Sequence, residues 1–102
     1  MKPKAFMPAM SDNKTSVFRV QGLTERQVWS LGDAYLVLPP HKELLARAEI
    51  SVAQVRSVGL QVESAEPPPR HANITDWSTQ KDESMSRAQE LAAEAVLRLR
   101  HP

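Results

Sequence analysis

The sequence predicts a small α+β domain. Three observations carry this: short β-prone runs alternate with capped helix starts, one long segment has its apolar residues at helical spacing, and none of it shows a long repeat. The expected architecture is a small sheet of about four short strands. Two short capped helices accompany it, and a long amphipathic C-terminal helix covers one face. Residues 1–15 hold two prolines and a polar run from Ser11 to Thr15 with no period, so they are expected to form a flexible arm. Residues 16–102 then make the single domain.

The first element of that domain is a strand over Ser16 to Val20, ended by Gly22. Thr24 and Gln27 have the spacing of a capping box, in which a hydroxyl and an amide each satisfy the other residue's backbone N–H. Leu23 and Val28 hold the positions of a hydrophobic staple around it. Gly32 stands where a left-handed C-cap ends a helix, which limits this one to about Glu25–Leu31. Ala34 to Leu38 then reads as a buried strand closed by Pro39 and Pro40.

The same grammar returns further on. Arg47 to Ile50 is β-prone, Ser51 and Gln54 form a second capping box, Ile50 and Val55 a second staple, and Gly59 a second C-cap. Leu23–Gly32 aligns with Ile50–Gly59 without a gap, with Gln, Val, Ser and Gly identical. Two readings stay open: a duplicated strand–helix–strand unit, or two segments obeying the same capping rules. Ile50 to Val62 also shows partial period-two alternation, so one bulged strand competes with helix followed by strand, Leu60 to Glu63. Cap and glycine favour the latter.

Pro67, Pro68 and Pro69 make residues 64–70 a stiff connection. Residues 79–100 complete the chain as the C-terminal helix. Met85, Ala88, Leu91, Ala92, Ala95, Val96 and Leu99 fall on one helical face, so Leu91 is expected inside. Thr79 with Asp82 makes a third capping pair, and Glu83–Arg87 and Glu94–Arg98 are i,i+4 ion pairs.

Thirteen Lys and Arg against twelve Asp and Glu give no strong field toward nucleic acid or membrane. There is no cysteine, so disulfides, thiolate metal sites and cysteine nucleophiles are excluded. No apolar run has the length of a membrane span or of a secretory signal. These features are those of a cytoplasmic protein of bacterial or phage type.

Of the three histidines, His41 and His101 read as solvated. His71 lies in the densest polar and aromatic stretch, and Arg70, His71, Asn73, Asp76 and Trp77 are the candidate partner-binding residues. This segment is expected to be ordered between the prolines and the long helix. A His71–Asp76 pair acting on Ser78 would be a hydrolase-like arrangement, but its spacing matches no motif and there is no nucleophile elbow. No metal-ligand or phosphate-loop pattern is present, and Asn73-Ile74-Thr75 fits a glycosylation sequon with no secretion signal before it. No cofactor is called for. Arg19, Arg26, Arg47, Arg56 and Arg70 would serve a nucleic acid only by converging on one face. The first expectation is a non-enzymatic interaction module, monomer or homodimer, with another protein as partner. A nucleic-acid-binding accessory protein is the alternative, and a small enzyme centred on His71 the third.

Overall fold

The computed structural model describes residues 2–36, 40 and 43–101. Its elements in chain order are a 3₁₀ turn Pro3–Phe6, β1 (Thr15–Phe18), α1 (Glu25–Tyr35), β2 (Ala46–Glu49), α2 (Val52–Ser57), β3 (Gln61–Ser64), β4 (His71–Thr75), α3 (Lys81–Glu94) and β5 (Val96–Leu99). This is an α+β fold. Its strands form two sheets rather than one: an antiparallel sheet in the order β1-β4-β3, and a two-stranded ribbon of β2 and β5.

Both capping boxes form. The Gln27 backbone N–H donates to the Thr24 hydroxyl at 3.2 Å, and the Gln27 side-chain Oε1 accepts from the Thr24 backbone N–H at 2.9 Å. Ser51 and Gln54 repeat this with both distances at 3.1 Å. Gly59 ends α2 with φ +83°, and the Leu60 N–H turns back to the Val55 carbonyl. The stretch from Ile50 is thus helix then strand. The likeness of the two segments stops at the caps. α1 runs on through Gly32 to Tyr35, and the strands preceding the two helices belong to different sheets.

Gly32 therefore lies inside a helix, and Ala34 and Tyr35 are helical, against the strand expected over Ala34–Leu38. The Leu44 side chain lies over Gly32, and its terminal methyl group would have to shift to admit a Cβ there. Residues 37 and 38 of the expected strand, Pro39 after it, and His41 lie outside the described residues.

The C-terminal helix is shorter than its periodicity predicts. It ends at Glu94, Ala95 turns extended, and Val96–Leu99 leave as β5. The Thr79–Asp82 cap does not form; the Gln80 N–H bonds the Ser78 hydroxyl instead. Arg98 pairs with Glu49 across the ribbon at 3.7 Å, not with Glu94, and Arg87 pairs with Glu90 rather than Glu83. Leu91 is buried as expected, with Ala88 and Ala92.

The core consists of Phe6, Val55, Leu60, Ile74, Trp77, Ala88, Leu91 and Ala92. Phe6 belongs to the segment expected to be a free arm, yet it is only 6% exposed. Three ties hold that segment. The 3₁₀ turn packs on α3, the Thr15 hydroxyl donates to the Phe6 carbonyl at 2.8 Å, and the Asn13 amide donates to the Trp77 carbonyl at 3.0 Å. The proline-rich stretch is a connection as expected: residues 65–70 join the antiparallel pair β3–β4. The segment after it is ordered, and His71–Thr75 is the central strand of the sheet.

Candidate functional site

Alternation along β4 sorts the polar cluster. Ala72 and Ile74 face the core, which leaves His71 and Asn73 on the outer face. The register sets Ser16 beside Asn73 and Phe18 beside His71, and Glu63 lies beside Asn73 from the other side. The Phe18 and His71 rings meet edge to face at 5.6 Å.

His71 has both ring nitrogens occupied. Nδ1 lies 2.9 Å from the Ala65 carbonyl oxygen, which can only accept, so Nδ1 carries the proton. Nε2 is then the acceptor for the Ser16 hydroxyl, 2.6 Å away. This is the hydrogen-bond order of a nucleophile and its base, with a backbone carbonyl as the orienting group. Catalysis also needs a cradle for substrate and donors for an oxyanion. Ser16 stands exposed on an open sheet face. The neighbouring hollow is lined by Arg19, Gln21, Glu66 and Arg70 and includes neither Ser16 nor His71. What the arrangement does visibly is clamp β1 and the end of β3 to β4.

The other candidates are placed as follows. Arg70 adopts φ +64° and donates to the Arg19 and Gln21 carbonyls at 3.3 and 3.1 Å, so it closes the turn onto β1. Trp77 is buried, and its indole N–H donates to the Ile74 carbonyl. Asn73 is half-buried on the outer face, and Asp76 is exposed at φ +68°. Arg70, His71 and Trp77 thus have polar groups bonded within the chain, while Asn73 and Asp76 face outward. Ser78 is not joined to His71; its hydroxyl receives the Gln80 N–H. Among the described residues no group of three His, Asp or Glu side chains could hold a metal ion.

Of the arginines singled out in the sequence, Arg19, Arg47 and Arg70 are bonded within the chain. Arg19 pairs with Glu66 at 2.7 Å. Arg47 reaches Glu25 at 2.6 Å and Glu49 at 2.7 Å, and its guanidinium lies 4.7 Å from the centre of the Trp29 ring. Arg100 lies 5.3 Å from the same ring and pairs with Asp33 at 2.7 Å. Trp29 donates to Glu25, completing a cage that ties α1 to the ribbon. The hydrogen bond from Arg47 lowers the Glu25 pKa, and that from Arg100 lowers the Asp33 pKa.

The residues that sequence reasoning missed are on the ribbon. Pairing places Ala46, Ala48, Leu97 and Leu99 on one face, and Arg47, Glu49, Val96 and Arg98 on the other. Ala48 packs on the core, but Leu97 and Leu99 are 54% and 62% exposed. Tyr35, Leu36, Leu45 and Val96 are exposed as well, so most of the large exposed apolar side chains among the described residues lie on the ribbon or at the end of α1, Met10 and Val52 being elsewhere. The available signal was the alternation Leu97-Arg98-Leu99-Arg100.

No protein-family model, curated protein or solved structure matches this chain. No helix of the described residues is long and apolar enough to cross a membrane.

Proposed function

We propose that this chain is a non-enzymatic protein-interaction module that takes up an extended segment of its partner along the open edge of β5. The observation that carries the reading is the state of that edge. The Arg100 N–H donates to the Leu45 carbonyl at 2.7 Å, which turns residue 100 toward β2. In an antiparallel ladder the direction alternates, so Val96 and Arg98 also turn to β2, and Leu97 and Leu99 direct their N–H and C=O groups away from it. β5 has β2 as its one strand neighbour among the described residues, and all four of its residues are exposed. Proteins ordinarily guard such an edge with proline, lysine, a bulge or a covering element. β5 has neither proline nor lysine, and its Arg98 is turned to Glu49. Main-chain pairing gives affinity in this mode, and the exposed leucines supply side-chain contact. A cysteine-free sequence suits work in the reducing cytoplasm.

Panning a random peptide library tests the reading. Peptides captured by the wild type are expected to be extended and apolar, to lose binding to the Leu97→Lys/Leu99→Lys variant, and to keep binding to Asn73→Ala. Both variants alter exposed or half-exposed side chains, and circular dichroism checks their fold. Capture that survives the double lysine variant, or that depends on Asn73, removes the edge as the site.

A further inference from the structure

We propose that the strand taken up at this edge is β5 of a second copy, paired antiparallel about a two-fold axis through Leu97. The inference rests on the edge reading above and names its partner. A two-fold axis demands a self-complementary strand, and the charges of β5 select the register. An axis through residue 98 would set Arg98 directly opposite its own copy. An axis through residue 99 would set it opposite Arg100 of the second copy. Like charges facing across a strand pair are destabilising; the ribbon tolerates Arg47 opposite Arg98 because Glu49 pairs with both, and β5 carries no carboxylate to do the same. With the axis at Leu97, Arg98 falls opposite Val96 of the second copy, leucine meets leucine, and Leu99 falls opposite Ala95.

The backbone suits this register. Leu97 lies at an outward position and would exchange both hydrogen bonds with its copy. The Leu99 N–H would reach the Ala95 carbonyl of the second copy. The Ala95 N–H is not needed, because it already donates to the Leu91 carbonyl at 2.9 Å. Ala95 is extended, at φ −69° and ψ 146°, so the ladder can include it. The product is one four-stranded sheet, β2-β5-β5-β2. Ala46, Ala48, Leu97 and Leu99 from both copies share one apolar face of it. On the other face Arg98 keeps Glu49 as its counter-charge. A contact built on one strand is small, so the association is reversible rather than obligate.

Sedimentation velocity of the full chain from about 1 μM to about 1 mM is expected to show a monomer–dimer equilibrium, with Kd raised about tenfold or more by Leu97→Lys. Oxidative cross-linking reads the register, since the chain has no cysteine of its own. Leu97→Cys is expected to link to itself, because residues on the axis lie about 5.5 Å apart between Cα atoms. Arg98→Cys alone is expected to stay unlinked, as the two copies of residue 98 lie about 8 Å apart. Mixing Val96→Cys with Arg98→Cys is expected to give the mixed dimer. A chain monomeric at every concentration overturns the proposal, as does self-linking through Arg98→Cys. A monomer that still captures peptides through Leu97 and Leu99 leaves the edge reading standing, whereas a monomer that captures none removes both.

Discussion

Phe6→Ala tests how far the N-terminal segment belongs to the fold. The side chain sits in the core against α3, and the 3₁₀ turn brings no other buried residue with it. Removing a buried phenylalanine costs about 3–5 kcal/mol, the lower end applying where the surroundings can close over the gap. A chain-terminal turn can shift inward more easily than a mid-chain element, so about 3 kcal/mol is expected here. Domains of this size have roughly 5–15 kcal/mol in total, so the change removes a substantial part of the stability. At about 4–8 °C per kcal/mol the melting temperature falls by about 12 °C or more. Thermal unfolding followed by circular dichroism reads the shift, and urea unfolding checks that the slope m is unchanged. Phe6→Leu should lose much less, about 1 kcal/mol. An unchanged melting temperature for Phe6→Ala would show that the segment is a free arm and that the core closes without it.

Thr24→Ala and Ser51→Ala should each cost about 1 kcal/mol in thermal unfolding, because each orphans a helical N–H; no loss in either would remove the capping boxes as stabilising features. Glu25 and Asp33 have pKa values below their ordinary 4.5 and 3.8 in the folded chain, so their contribution is present above those values and is lost as pH falls through the folded ones. Trp29 fluorescence should therefore change below about pH 4, and Glu25→Gln with Asp33→Asn should abolish the step; a step that persists in that variant has another origin. Leu91→Asp should unfold or aggregate the protein, since an unpaired buried carboxylate costs several kcal/mol, and a native melting curve would place residue 91 outside the core.

Features decided locally were readable from sequence. Thr24, Gln27, Ser51 and Gln54 cap their helices through partners three residues away, and Gly59 adopts positive φ where a helix must stop. The features that were not readable depend on distant partners. Val96 and Leu99 continue the helical spacing of α3, and no glycine or proline interrupts it at Ala95. Pairing with Ala46–Glu49 converts the segment to strand. Gly32 looks like Gly59 in sequence, but it lies inside α1 with the Leu44 side chain over it. Phe6 has no periodic companions, because one residue of a single turn makes no pattern. The density of chemistry from Arg70 to Trp77 was visible. What it failed to convey is that Arg70, His71 and Trp77 hold neighbouring backbone segments together. The alternation of inward Ala72 and Ile74 with outward His71 and Asn73 was the legible sign of a strand.

The ribbon joins residues 46–49 to residues 96–99, and the cage around Trp29 takes Arg100 from just beyond the second of these strands. During synthesis α1 leaves the ribosome well before either Arg98 or Arg100 has been added. Until then Trp29 lacks one of its two guanidinium neighbours, and β2 has no strand to pair with. The sheet of β1, β4 and β3 is complete in sequence at Thr75. Joining Asp33 to Arg100 closes a span of 67 residues, so the hold on α1 depends on the most distant stretch of chain rather than on its sequence neighbours.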